Sequence, residues 1–287
     1  MASMRDIQRR KVSVQSTGQI TKAMKLVATV RLQKARARAE QAKPYFEAMY
    51  RTVQSIIKRS GDIDHKYLNS DQDKKKAVIV ISGNRGLAGG YNNNITKLLT
   101  KDENFSPDNT VVYVIGKKGK ETLVRNGYEI KADYSEVVNE PMYRDAMEIC
   151  EEVLKAFEEN EFGELYIAYT VFKNTVSHIP TMLKVLPVSI EAREEMSDES
   201  KLILMNYEPS EEQALDFIIP KYVTSLIYGA LIEAVASENG ARMSAMDSAT
   251  SNADEMIEEL SLLYNRARQS SITQELTEII AGAEAIS

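Results

Sequence analysis

Between Lys221 and the last residue there is no proline, and Met246, Ala249, Ala253, Met256, Leu260, Leu263 and Ala267 recur in alternating steps of three and four. Their average, 3.5 residues, is the seam period of two supercoiled helices rather than the 3.6 of a helix resting on a globular core. Alanine knobs let a second backbone come close, and methionine fills irregular gaps. Residues 210–213 (SEEQ), just after Pro209, fit a capping box and mark the start of the helix, and Pro220 is expected to kink its first turns. Such a helix runs roughly 100 Å at 1.5 Å per residue. It demands a partner of similar length.

The other end of the chain supplies one. From residue 1 to residue 43 there is no proline and a single glycine, Gly18. Ile20, Met24, Val27, Arg31, Ala35 and Arg38 keep the same spacing, with Ile7 and Val14 upstream. Beyond Pro44, where a kink is expected, Phe46, Met49, Val53, Ile56 and Ile57 carry the stripe to about residue 59. That helix runs roughly 85 Å. A bundle helix folded back on its own domain is the alternative, and it calls for a more ordinary length. Charge favours pairing: residues 1–59 carry 14 Lys/Arg against 3 Asp/Glu, and residues 230–287 carry 3 against 10. Gly18, Gly229 and Gly240 each cost about 1 kcal/mol in a helix interior, and are expected where another backbone comes near.

No loop joins these helices, so the segment between them must return the chain near its start, which makes the pair antiparallel. That segment reads as alternating strands and helices. Strands are predicted at 77–82 (AVIVIS) and 110–115 (TVVYVI), helices at 91–100, 117–125 and 142–159, and a hairpin of strands at 165–172 and 181–187. Residues 191–208 read as an exposed loop with a short strand at 202–205. This order predicts a mostly parallel sheet with helices on both faces. The expected fold class is α/β: a long antiparallel coiled coil plus a Rossmann-like domain between its helices. Residues 1–59 with 209–287 form the shaft and 60–208 a head, giving a rod with a head attached.

Candidate chemistry is sparse. Residues 83–90 (GNRGLAGG) sit where a phosphate-binding turn would, yet their spacing matches neither G-x-G-x-x-G nor the P-loop, and no Lys-Ser/Thr pair opens the helix. The bland reading is a tight strand-to-helix turn. GNRG and the later GKKG (116–119) match the four-residue loop of an RNA-binding module, but there the loop joins two helices and here both follow strands. Basic charges surround the N-terminal helix instead of forming one face, which fits acidic protein surfaces better than nucleic acid. A lone Cys150 with only His65 and His178 assembles no zinc site. Cys150 reads as core, and both histidines as exposed, ordinary residues rather than a catalytic base. No window approaches twenty apolar residues, and the basic start lacks an apolar segment of the secretory kind. Catalytic, cofactor-binding and metal residues are therefore all expected to be none.

Residues 19–28 (QITKAMKLVA), 241–253 (ARMSAMDSATSNA) and 264–279 (YNRARQSSITQELTEI), followed by 281–283 (AGA), closely resemble the γ subunit family of F-type ATP synthases. The turn at 86–92 (GLAGGYN) resembles that family too, with Ala88 where many members carry Cys. The resemblance runs over the whole chain and is weakest from about 133 to 208. It implies a central rotor shaft inside a ring of alternating α and β subunits. The head would rest on the ε subunit and the c-subunit ring, and the shaft would couple ion-driven rotation to ATP synthesis and the reverse. It implies a subunit without catalytic residues in an ion-transporting ATPase, and no redox switch, since no cysteine-bearing insertion is present.

Carried over by motif, Met24 and Arg242 face each other near an acidic β segment. Arg268 and Gln269 bond a β or α loop as the shaft turns. Residues 272–286, with Ile279, Ile280 and Ile286, form a tip in an apolar sleeve, and the stretch 201–207 with Tyr207 forms a foot on the c ring. The implied location is the cytoplasmic face of the cell membrane, peripheral, in a bacterium, without bilayer insertion or nucleic acid. Two other readings stay open from the residues alone: an α/β nucleotide-binding enzyme with a coiled-coil dimerisation arm, and a basic coiled-coil nucleic-acid binder.

Overall fold

Short apolar runs closed off by lysines and Gly/Asn turns become strands, and the amphipathic stretches between them become helices. The computed structural model describes residues 4–60, 65–69, 74–175, 177–188 and 211–284. In order these are α1 (Met4–Ser60), β1 (Lys76–Ile81), α2 (Tyr91–Thr100), β2 (Thr110–Ile115), α3 (Lys117–Arg125), β3 (Glu129–Asp133), α4 (Tyr143–Glu158), β4 (Glu164–Phe172), β5 (His178–Leu186) and α5 (Glu211–Glu284). α1 continues through Pro44 and α5 through Pro220. The loop expected at 191–208, its strand at 202–205 and Ser210 of the proposed cap lie outside the described residues.

By compactness the chain forms two units, residues 1–28 with 242–287 and residues 29–241. The larger unit is built on a five-stranded sheet ordered β3-β2-β1-β4-β5. β1 pairs in parallel with β2 and β4, β2 in parallel with β3, and β5 runs antiparallel to β4 as the expected hairpin. β3 was not anticipated. Three of its five residues (Glu129, Lys131, Asp133) are charged, which hides it from an apolar search but suits an edge strand.

Alternation along the strands fills both faces. Val78, Val80, Val112 and Val114 pack against Ile95 and Leu99 of α2 and Leu123 of α3. Ala77, Ile79, Ile81, Tyr113 and Ile115 pack against α4 and the first part of α5. There α5 buries Leu215, Ile219, Val223, Ile227 and Leu231, every fourth residue, each at 0% exposure. Each such side chain contributes roughly 1.5–3 kcal/mol by leaving water. One 18-residue window of α5 reaches a mean hydropathy of 1.4, high enough for a membrane span, and half of it is buried. Steps of four on a sheet account for that apolarity. α5 is a core helix here.

Candidate functional site

In sheets of this topology ligands bind beyond the carboxyl ends of the strands, where the strand order reverses. That point lies between β1 and β4, and α5 fills it. The Tyr91 hydroxyl donates to the Ala234 carbonyl at 3.2 Å, and the Ser237 hydroxyl to the Thr170 carbonyl at 2.8 Å. The buried Glu238 carboxylate lies against Gly83, where a Cβ would meet its Oε1 at 2.7 Å.

The glycine turns close on each other in the same place. Gly83 N–H donates to Asn92 Oδ1 at 2.8 Å, and Asn92 Nδ2 returns a bond to the Arg85 carbonyl at 3.1 Å. The first amides of α3 are spent on the end of β1 and the residues after it: Lys117 N–H on Asn84 Oδ1, Lys118 N–H on the Gly83 carbonyl, Gly119 N–H on Ser82 Oγ. A helix start can cradle a phosphate only with free N–H groups. Here the chain itself uses them. Gly116, at φ +116°, passes so close to Ser82 that a Cβ would lie 2.1 Å from its carbonyl oxygen.

Neither histidine is as exposed as its sequence neighbourhood suggests. His65 is buried, its Nδ1 accepting from Tyr67 N–H at 3.3 Å and its Nε2 lying 3.4 Å from the Asp216 carboxylate. His178 is half-buried over α5 at Gly240, where a Cβ would meet its Nε2 at 2.6 Å, and burial lowers its pKa. Cys150 is buried as expected. Burial pushes its thiol up to about 11, with Sγ 3.5 Å from the Pro220 carbonyl. A thiol held neutral this way is a poor nucleophile. Among the described residues, no group of three or more His, Cys, Asp or Glu side chains is arranged to hold a metal.

The smaller unit pairs α1 residues 4–28 with α5 residues 242–284. A Cβ on Gly18 would touch the Ala253 methyl at 3.3 Å, the Thr21 and Thr250 hydroxyls are 2.8 Å apart, and Lys25 Nζ meets Asp247 Oδ1 at 2.5 Å. The numbers in the first two pairs each sum to 271, the constant of an antiparallel register. The covered positions on α1 are Met4, Ile7, Lys11, Val14, Gly18, Thr21, Lys25 and Ala28; Met24 is half-buried beside them. On α5 they are Met246, Thr250, Ala253, Ile257, Leu260, Tyr264, Ala267 and Ser271, with Ala249 half-buried beside them.

The period is the expected one, but the phase is corrected in places. Met246, Ala253, Leu260 and Ala267 lie in the seam, whereas Met256 (48% exposed) and Leu263 (49%) give way to Ile257 and Tyr264. On α1, Ile20 (61%) and Val27 (55%) face outward, and Arg31 and Arg38 are exposed. The seam there selects small and polar residues because the helices approach closely, which an apolar search misses. The neighbours of the three helical glycines are side chains rather than a second backbone: the Ala253 methyl, the Phe46 ring and the His178 imidazole.

The sequence-derived contact residues fall as follows. The register sets Met24 level with Asp247, so Arg242 lies five residues, about 7.5 Å, farther along α5. Arg268 and Gln269 are exposed, just past the level of Met4. From there to residue 283 only Ser271 is partly covered, and Ile272, Leu276, Ile279 and Ile280 are 45–68% exposed. Tyr207 and Ile286 lie outside the described residues.

A family model described as ATP synthase matches residues 3–286. The ATP synthase gamma chain of Lachnoclostridium phytofermentans is 63% identical to this chain over 291 residues, covering all of both. The sodium-ion-specific ATP synthase gamma chain of Acetobacterium woodii is 42% identical and covers 99% of each. Among solved structures, a chain of the Euglena gracilis mitochondrial ATP synthase (OSCP, F1 and c ring) superimposes with a TM-score of 0.68 at 18% identity. The match covers 99% of this chain and 94% of that one. That likeness speaks to the fold.

Proposed function

The chain belongs to the ATP synthase gamma chain family, and from that premise we propose that it is the central rotor shaft of a rotary ATP synthase. It couples ion-driven rotation of a membrane c ring to the nucleotide sites of the β subunits. The subunit is non-catalytic. It works as a peripheral part of the membrane enzyme, on the cytoplasmic face, against the α and β subunits, ε and the c ring. Residues 1–59 with 209–287 serve as the shaft and 60–208 as the head.

The observation that carries this reading beyond kinship is the end of α5. By the 271 register, described α1 ends opposite Ala267, yet α5 runs on to Glu284 with an exposed row of Ile272, Leu276, Ile279 and Ile280. These positions share one helix face. An apolar face offers no directional bonds, so it suits a tip that turns inside an apolar sleeve. Just before it, Arg268 and Gln269 present polar groups able to bond a surrounding subunit at particular rotor angles. Met24 and Arg242 serve as further contacts near an acidic β segment, Tyr207 as part of a foot on the c ring, and Ile286 as part of the tip.

The filled strand ends argue against the nucleotide-binding enzyme, because the crevice such an enzyme needs holds α5. Co-expression of the chain with α, β and ε subunits tests the proposal. Intact-complex mass measurement should find a single copy of the chain within each α/β ring. Recovery of the chain only as a free homodimer would instead favour the enzyme with a dimerisation arm.

A further inference from the structure

In the helix pair, a slip of α5 by one heptad past α1 would go unnoticed by much of the seam. Asp254 follows Asp247 by seven residues, so Lys25 would exchange one carboxylate for another. Seam positions also repeat every seven residues: Met246, Ala253, Leu260 and Ala267 in one row, Thr250, Ile257, Tyr264 and Ser271 in the other. Such a slip moves the helix about 10 Å along its axis and turns it about 20°. In the larger unit the same two helices meet at Phe46 with Tyr228 and Gly229 and at Tyr50 with Tyr222; within the smaller unit, something in the seam must select the register as well.

Two layers of the seam are not degenerate. Gly18 faces Ala253 with 3.3 Å between an added Cβ and the methyl, and after a slip it would face Leu260, whose larger side chain has no room where the helices come this close. The Thr21 and Thr250 hydroxyl oxygens are 2.8 Å apart, each also within reach of a carbonyl on its own helix, Gly18 O at 3.0 Å and Met246 O at 2.8 Å. After a slip Thr21, which is buried, would meet Ile257. A polar pair placed in a coiled-coil seam is a known way to fix register.

We propose that Gly18–Ala253 and Thr21–Thr250, the two layers a slip would disrupt, form a register key that fixes the axial position of α5 against α1, and with it the level of Arg268 and Gln269; Lys25–Asp247 adds a charge pair that either register could satisfy. These are positioning residues. They act by placing other side chains and touch no substrate. Their consequence for coupling rests on the rotor reading, but the key itself does not.

The test uses reporters away from the key, in the full chain with Cys150→Ser. Ile7→Cys is paired either with Tyr264→Cys, its partner in the observed register, or with Ser271→Cys, its partner after a slip. Under mild oxidation the otherwise unaltered key should give the 7–264 disulfide alone. Asp247→Lys with Thr250→Ile sets two cations together and removes the hydroxyl pair, while Asp254 still offers Lys25 a partner. The ratio of 7–271 to 7–264 product should then rise about tenfold or more. Adding Lys25→Glu re-forms an opposite-charge pair in the observed register and sets two carboxylates together in the slipped one, so 7–264 should return.

An unchanged 7–264 product in the double variant would overturn the key. If that variant cross-links at neither site, the triple variant decides: regained 7–264 product supports the key, and continued failure overturns it. In the assembled complex, the ratio of ATP-driven ion transport to ATP hydrolysis should fall in the double variant and recover in the triple. A register that shifts and returns while this ratio stays flat would leave the key standing and count against the rotor reading.

Discussion

Gly116→Ala isolates the claim that the glycine turns are structural joints rather than a ligand cradle. Gly116 sits at φ +116°, where L side chains are strained, and the new methyl carbon would lie 2.1 Å from the Ser82 carbonyl oxygen and 2.6 Å from Ser82 Oγ. The strained backbone costs about 1–3 kcal/mol. Forcing apart packed backbone adds about 1–3 kcal/mol. At roughly 2–4 °C per kcal/mol for a domain of this size, the combined loss lowers the melting temperature by roughly 5–20 °C. Gly86→Ala, three residues past Gly83 in the facing turn, meets nothing within 4 Å and should stay within about 0.5 kcal/mol of the parent. Thermal unfolding of both variants by circular dichroism, with and without millimolar ATP, is the assay. Nucleotide should move no melting curve, because a ligand that binds only the folded chain would raise its melting temperature. The reasoning fails if Gly116→Ala melts with the parent, or if ATP stabilises the parent and Gly116→Ala abolishes that effect.

Three further outcomes follow from the same structure. Arg268→Ala with Gln269→Ala should leave the melting of the isolated chain within about 0.5 kcal/mol, since both residues are exposed. It should slow steady-state ATP hydrolysis of the assembled complex severalfold or more, up to about a hundredfold if charged bonds worth about 1.5–3 kcal/mol are lost in full; normal turnover would remove their angle-specific role. Met24→Lys adds a cation on the half-buried edge of the seam, so ATP hydrolysis should persist while ATP-driven ion pumping falls, and equal loss of both would contradict this. Burial pushes the Glu164 carboxyl up, but Lys184 Nζ at 2.6 Å and the Tyr166 hydroxyl at 2.9 Å together hold it below the ordinary carboxylate range. A depressed folded pKa gives stability that is present above the unfolded value and lost as pH falls through the folded one. Glu164→Gln should accordingly cost about 1–3 kcal/mol at pH 7, and denaturant melts should show the gap closing below about pH 4; a gap that persists at low pH would rule out the ion pair as its source.

The parts of the fold that were legible in sequence are those with punctuation. Residues 91–100, 110–115 and 117–125 were bounded correctly to the residue, because Gly90, Asn109, Gly116 and Asn126 close off strong apolar or amphipathic runs. β3 was not, since an edge strand needs few apolar residues. The coiled-coil period was legible and its phase only partly so. On α1 the seam is carried by Gly18, Thr21 and Lys25, whose role depends on how near Ala253, Thr250 and Asp247 come. His65 looked solvated because its neighbours are polar, yet those neighbours include an ion-paired set, Lys66 with Glu158 at 2.9 Å and Asp216 at 3.2 Å, that closes over it. The filling of the strand ends by residues 234–240 of α5 was hidden as well, because more than 140 residues separate them from Gly83 and Tyr91. Contact-surface assignments at Met24, Arg242, Arg268 and Gln269 came from family resemblance, since no local pattern marks a side chain that waits for another subunit.

The central claim is rotation, and the most direct measurement is to watch it. The chain, carrying a surface probe on its sheet unit, is assembled with α and β subunits immobilised on a surface and supplied with ATP. The account predicts stepwise rotation of the probe in one direction, stopping when ATP is withdrawn. A probe that stays fixed, or only fluctuates, while the same assembled complexes hydrolyse ATP would contradict it.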